Sequence, residues 1–152
     1  MPLSPADPDF AARVRDSFGR QAVMDTLGAR LAAVDAGRVV IEMAHKPQLT
    51  QQHGFLHAGI VSTALDSACG YAAFSLMPPD AAVLTIEFKV NLLAPARGPQ
   101  LRFEGQVAKA GRTISVVDGR AWQHDGAGGE PTLVATMTAT VMTVLGRSEL
   151  RH

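Results

Sequence analysis

The chain has 152 residues, a net charge of +0, a pI near 7.0, 47% apolar residues and 18% charged ones. That length supports one domain with a real core, the composition excludes disorder, and the balanced charge offers no bulk attraction for nucleic acid or an anionic membrane. The single cysteine, Cys69, excludes an intramolecular disulfide framework and fits a reducing cytoplasm.

Pro2, Pro5 and Pro8 open the chain as a loose lead with neither a basic start nor a continuous apolar run, so no signal peptide is expected. Phe10, Val14 and Phe18 recur four apart and predict a short amphipathic helix from about Asp9 to Gln21. Leu27 to Val34 and Arg38 to Ala44 are strand-like runs around "DAG", which predicts a hairpin. Pro47 ends it, and the polar stretch "QLTQQHG" leads into a run from His57 to Leu76 closed by Pro78 and Pro79. That run predicts the one long helix. Small residues surround it on every face without a charged stripe, so it is expected to be wrapped by other elements; Asp66 and several hydroxyls argue against a membrane span.

From Val83 the period changes to two, with Leu84, Ile86, Phe88, Val90 and Leu92 on one face of the clearest strand. Leu101 to Val107, Thr113 to Gln123 and Thr132 to Val144 continue as strands, separated by "KAGRT" and "HDGAGGEP". The polar tail after Gly146 reads as frayed. Helix, two strands, one long helix and four strands in an antiparallel meander make an α+β order in which one sheet wraps lengthwise around a helix of roughly 30 Å, a hotdog-like architecture. The expected segments are a lead at 1–26, the fold proper at 27–146 and a tail at 147–152.

The central helix carries the chemistry. His57 and Asp66 are nine residues apart, about 13 Å along the axis and half a turn out of phase, so a helix N-terminus offering the Ala58 and Gly59 amides cannot share one small reacting group with Asp66 of the same chain. Two antiparallel copies about a two-fold axis would bring them together. Asp66 sits among Ala64, Leu65, Ser67 and Ala68, where an idle carboxylate is costly, so it is expected to act on substrate. His57, at the helix start, is expected to orient the loop. His53 and His57 are four apart but lack a nearby third ligand, and no metal is expected. Cys69 reads as a core residue, and "GIVST" lacks the G-x-S-x-G pattern of a nucleophile elbow.

The stretch Q-x-x-G-x-x-H-A-G-x-x-x-x-x-L-D, followed by "TIEFKVNLLAPA" and "KAGRT", resembles the hotdog-fold acyl-CoA thioesterases of the phenylacetate-pathway and hydroxybenzoyl-CoA types, over about Leu27 to Val144. The resemblance implies hydrolysis of a small, medium-chain or aromatic acyl-CoA to free acid and CoA, with no cofactor, by a homodimer extended to a homotetramer. It implies Asp66 as nucleophile or general base, Gln51 near the carbonyl or water, His57 opening the helix, Ala58 as oxyanion donor and Thr85 assisting the carboxylate. Gly59 and the turn of Lys109, Gly111, Arg112 and Thr113 are implied to meet CoA. Ala58 stands where the family has a glycine, which keeps the N–H and adds a methyl at the substrate's approach. Phe55, Leu56, Tyr71 and Phe74 are candidates for the acyl pocket. A non-catalytic acyl-CoA sensor is the alternative, though the residues before Leu27 are too few for a helix-turn-helix domain; a dehydratase, which would pair a histidine with a carboxylate, fits the motif less well.

Overall fold

A computed structural model describes residues 2–126, 128–150 and 152. The N-terminal amphipathic segment forms α1 (Phe10–Arg20), but the chain does not pass straight into a strand. Gln21 breaks the helix and a second one, α2 (Ala22–Leu27), follows; Gly28, left-handed at φ 67°, ends it, so Leu27 is a buried helix residue and β1 (Arg30–Asp35) begins three residues later than its apolar pattern suggested. β1 and β2 (Arg38–Ala44) form the expected hairpin.

The long helix α3 spans Ala58–Phe74, with His57 as its N-cap and Ser75 as its C-cap. β3 (Ala82–Leu92), β4 (Gln100–Lys109), β5 (Ile114–His124) and β6 (Thr132–Val144) complete one six-stranded antiparallel sheet in the order β1-β2-β4-β5-β6-β3. The last four strands are therefore not a simple meander. β3 pairs only with β6, at one edge, and the chain crosses to place β4 against β2. Register shifts with an extra residue in β1, β3, β4 and β6 mark bulges that bend the sheet.

The sheet curls around α3, whose Val61, Ala64, Leu65, Ala68 and Ala72 are buried against it. Gly105 and Gly119 lie opposite each other on β4 and β5, and a Cβ at Gly105 would come within 2.4 Å of the Ala68 carbonyl oxygen. Bare backbone at that point lets the helix settle onto the strands.

The N-terminal helices cover a second side of α3. Ser17 and Tyr71 share a buried hydrogen bond of 3.1 Å, and the Phe18 and Tyr71 rings lie 5.9 Å apart. Arg13 donates to the carbonyls of Phe74, Met77 and Pro78 and pairs with Asp7 at 3.3 Å, a cation at the negative end of the α3 dipole. His152 lies at the same end of α3. The His152 ring lies 5.2 Å from Phe74, and Arg20 donates to the His152 carbonyl. No helix among the described residues is long and apolar enough to cross a membrane.

Candidate active site

The wrapping of α3 is incomplete. Ala58 and Gly59 are exposed and Ser62, Thr63 and Asp66 only half-buried, so the first half of the helix keeps one open face at spacing i, i+3/i+4, i+7. Beside it, β3 leaves Phe88 at 42% and Leu92 at 53% exposed, although both are in register with the core-facing Ala139 and Ala135 of β6. The bulge between Thr85 and Glu87 breaks the strict alternation expected for β3: Thr85 and Phe88 pair with Val141 and Ala139, the same face of β6. Thr85 is thereby turned to α3, and its hydroxyl donates to Asp66 Oδ1 at 2.7 Å.

At the start of α3, His57 Nδ1 accepts from the Gly59 N–H at 2.8 Å, and the His57 carbonyl accepts from Ile60 and Val61. His57 is thus a capping side chain, and Gly59, a candidate for substrate contact, has its amide taken. Three of the four N–H groups that a helix start leaves unpaired are satisfied locally. The fourth, Ala58 N–H, has no partner among the described residues. Ala58 lines a cavity of ≈ 360 Å³ together with Gln51, Phe55 and Leu56. Gln51 Oε1 accepts from the backbone N–H of His53 at 2.5 Å and of Phe55 at 3.4 Å, folding the loop around Gly54 (φ 82°) and leaving its NH₂ group uncommitted.

The arrangement offers an amide positioned for a developing oxyanion and a carboxylate positioned for a proton or a carbonyl carbon, on one open helix face but about 12 Å apart along it. The comparisons with known proteins bear on the family of the chain. A model of the thioesterase superfamily matches residues 53–130, just over half of the chain. The chain belongs to the thioesterase superfamily.

A solved thioesterase family protein from Silicibacter pomeroyi is 58% identical, covers 90% of this thioesterase and 99% of its own chain, and superposes with a TM-score of 0.87. The PaaI protein of the E. coli phenylacetic acid degradation operon, 20% identical over 90% of this chain and 94% of its own, shares the fold at a TM-score of 0.80. Among curated relatives, a candidate esterase of Saccharolobus solfataricus is 34% identical over 60% of this chain; the chain spans 65% of that relative's length. A 1,4-dihydroxy-2-naphthoyl-CoA hydrolase of Listeria monocytogenes is 22% identical over 62% of this chain and 76% of its own. The protein is a hydrolase of this family with the α+β hotdog fold.

Burial pushes the Asp66 carboxyl of this thioesterase above the ordinary carboxylate range, and the Thr85 hydrogen bond to its charged form partly counters that. Thr85→Val should therefore raise the Asp66 pKa further. Following the carboxyl carbon by NMR through a pH titration checks this; an unchanged midpoint would mean that the hydroxyl does not hold the charged form. Cys69, buried against Gly119, has its thiol pushed up to about 12 by desolvation and by Asp66 and Asp118, which makes it a core residue and a poor nucleophile.

Lys109 ends β4, and the half-buried Gly111 and the exposed Arg112 and Thr113 follow in the turn to β5. Gly111 donates to Ser115 Oγ at 3.4 Å, and a Cβ there would strike the Ile114 carbonyl oxygen at 2.0 Å. Among the described residues neither Lys109 nor Arg112 has a side-chain partner, which leaves two free cations on one turn. Of the four pocket candidates, Phe55 and Leu56 do line the cavity at Ala58, whereas Tyr71 lines one beside Asp66 and Phe74 one at the far end of α3. The residue that sequence reasoning missed is Gln21. It accepts from Ser67 Oγ at 3.0 Å and lines both cavities that flank Asp66. The first helix is expected to end near Gln21, but nothing local in "GRQAV" shows that a second helix follows or that the side chain at the break reaches α3.

Proposed function

We propose that the protein hydrolyses acyl-CoA thioesters to free acid and CoA at two equivalent sites, each built from two chains about a two-fold axis. The observation that carries this is the unpartnered Ala58 N–H on the same open face of α3 as the half-buried, Thr85-bound carboxylate of Asp66. Within one chain they are too far apart to serve one thioester; an antiparallel second copy of the helix sets Asp66 of each chain beside Ala58 of the other.

The face is suited to a second backbone. Ser62 and Thr63 return their hydroxyls to the carbonyls of Ala58 and Gly59 at 2.9 and 2.7 Å, so close contact strands no polar group. β3 is an edge strand of eleven residues with Leu84, Ile86, Phe88 and Leu92 each more than 40% exposed, a surface that continues into a partner's β3 more readily than it faces water. Further pairing of such dimers gives the tetramer that the resemblance implies.

In this reading the thioester carbonyl rests on the Ala58 N–H, and Asp66 takes a proton from an attacking water or attacks the carbonyl carbon itself. The oxyanion forms against the free amide and the helix dipole, and collapses with loss of CoA thiolate; on the water route this gives the acid directly, and on the nucleophilic route it gives an acyl–Asp66 anhydride that a water then cleaves to the acid and free Asp66. Gln51 offers its NH₂ to the carbonyl or the water, and His57 acts by fixing the helix start. Lys109 and Arg112 meet the phosphates of CoA. The Listeria relative, a hydrolase of a CoA thioester by its name, supports the same leaving group.

The test is release of free thiol from acyl-CoAs of short, medium and aromatic acyl groups. Turnover of any of them supports the reading; tight binding of all with no thiol released would make the protein a binding module. With the best substrate, Arg112→Ala should raise KM several-fold with a smaller change in kcat, because a contact with the distant nucleotide acts on ground and transition states alike. An unchanged KM would return Arg112 to a solvated turn.

A further inference from the structure

Asp66 is held on one side only. Its Oδ1 accepts from Thr85, and its Oδ2 has no partner among the described residues. Cavities of ≈ 430 and ≈ 310 Å³ flank it. The larger runs along the open face of α3 past Gly59, Ser62 and Thr63, where the second chain and its Ala58 amide come in the two-chain site. The smaller runs the other way, past Thr85 and Gly70. Gly70 lies one turn beyond Asp66, and a Cβ there would meet nothing within 4 Å, so this cavity reaches the helix backbone beside the carboxylate. Three residues line both cavities and divide them: Gln21, Asp66 and Ser67.

Gln21 is placed there by its backbone as well as its side chain. Its N–H donates to the Phe18 carbonyl at 3.1 Å, which closes α1, and its own carbonyl accepts from Met24 at 3.0 Å, which opens α2. Buried Val14 and Ser17 on one arm and Met24 and Leu27 on the other anchor that corner. Ser67 Oγ donates to Gln21 Oε1 at 3.0 Å, which commits the side-chain carbonyl and leaves the NH₂ group with no partner among the described residues. Of the other groups lining the smaller cavity, the Tyr71 hydroxyl is paired with Ser17 and the Thr85 hydroxyl with Asp66, and His152 stands against Phe74, about two turns beyond Asp66. The donor left beside the carboxylate is the Gln21 NH₂.

We propose that Gln21 is a further catalytic residue, whose NH₂ group donates to the attacking water and holds it against Asp66 Oδ2 in the smaller cavity. This rests on the acyl-CoA reading above and completes its water route. With the ester on the side of the larger cavity, water reaches the carbonyl from the other. A volume of ≈ 310 Å³ has room for about ten waters at liquid density, and one fixed there needs a donor and an acceptor facing it. Gln21 supplies the first and Oδ2 the second. The water passes a proton to Oδ2 as its oxygen bonds to the thioester carbon. The C–S bond then breaks, its electron pair leaves on the CoA sulfur, and that sulfur takes the proton from Asp66, giving acid and free CoA. A water already held in place has less freedom to lose on the way to the transition state. The Gln51 NH₂, on the Ala58 side, is left for the carbonyl.

The experiment takes the acyl-CoA that the native protein turns over best and two variants, Gln21→Glu and Gln21→Leu. Glutamate keeps the length and the acceptor for Ser67, whereas leucine removes the acceptor and adds no charge; what both lack is the NH₂ group. Each should lose at least tenfold in kcat, read at a pH where Asp66 is ionised, with KM within about threefold of native, because the water acts in the chemical step and not in binding the ester. Melting temperatures report whether the α1–α2 corner has held. Native kcat in either folded variant overturns the assignment: in Gln21→Glu it would mean that accepting from Ser67 is all that Gln21 provides, and in Gln21→Leu that the side chain provides nothing polar. A loss carried by KM instead would make Gln21 an ester contact and overturn it too. Should no ester release thiol from the native protein, the hydrolase reading fails separately, and the bridge from Gln21 to Oδ2 is judged by NMR titration of the Asp66 carboxyl carbon. A water donating to Oδ2 favours the charged form, so a midpoint raised in both variants supports the bridge, and one that does not rise in Gln21→Leu sinks it.

Discussion

Asp66→Asn should lose at least a hundredfold in kcat while the protein stays folded and keeps its affinity for the CoA ester. The amide preserves the shape of the carboxylate and an acceptor for the Thr85 hydroxyl, so the 2.7 Å hydrogen bond can survive. What disappears is the charge and the basicity, and general-base assistance alone is worth ~10²- to 10⁴-fold. The same substitution should stabilise the fold. Burial holds the native carboxyl above its unfolded-state pKa, so the native state binds that proton more tightly than the unfolded chain. The stability tied to Asp66 is complete below the ordinary carboxylate range and is lost as pH rises through the raised pKa. The melting temperature of Asp66→Asn should therefore exceed the native value at neutral pH, and the gap should close on acidification. In the native protein, the acid limb of kcat/KM should lie above the ordinary carboxylate range. A folded Asp66→Asn protein within tenfold of native kcat would make Asp66 a structural residue.

Ala58→Pro should lower kcat by ~10²- to 10³-fold, the usual effect of deleting one oxyanion donor. Proline is tolerated at the first residue of a helix, and His57 before it already has φ −57° and ψ 139°, the extended conformation that a proline demands of its predecessor. The change removes the N–H that has no other use and leaves the His57–Gly59 cap in place. Together the two variants also test the shared site. A mixed dimer of Asp66→Asn and Ala58→Pro chains has one site with both groups intact and one with both lost. Co-expression in equal amounts, giving mixed dimers half of the time, should recover about a quarter of native activity. If each site lay within one chain, every mixture would stay inactive, and the two-chain model would fall.

Much of the molecule follows from local sequence. β2 and β6 begin and end at the residues their patterns indicate, because alternation on a half-buried sheet is a local signal. Asp66 stood out because a carboxylate is improbable in so apolar a stretch, and its link to Thr85, nineteen residues on, was implied by the resemblance and is present as a hydrogen bond. His57 at the helix start follows from the polar loop that precedes it, and the structure adds the Nδ1 cap to the Gly59 N–H.

Tertiary structure decided the rest, for reasons that local pattern cannot carry. Alternation does not name a strand's neighbour, so the crossover that sends β3 to the edge beside β6 was invisible, and with it the exposure of Phe88 and Leu92. A single bulged residue between Thr85 and Glu87 reverses which side chains face the helix, and it turns Thr85 toward Asp66. A run of small residues shows that something comes close to α3 without showing where; the sheet and the N-terminal helices take two sides and leave the third open. Gln21 reaches the cavities beside Asp66 only because α1 and α2 break across α3 at that point. The sequence by itself determined which residues have chemistry to offer, since charge, donors and periodicity belong to the residues. Which of them meet, and on which open face, was decided by packing, because the position of each strand and helix depends on surfaces contributed by distant parts of the chain.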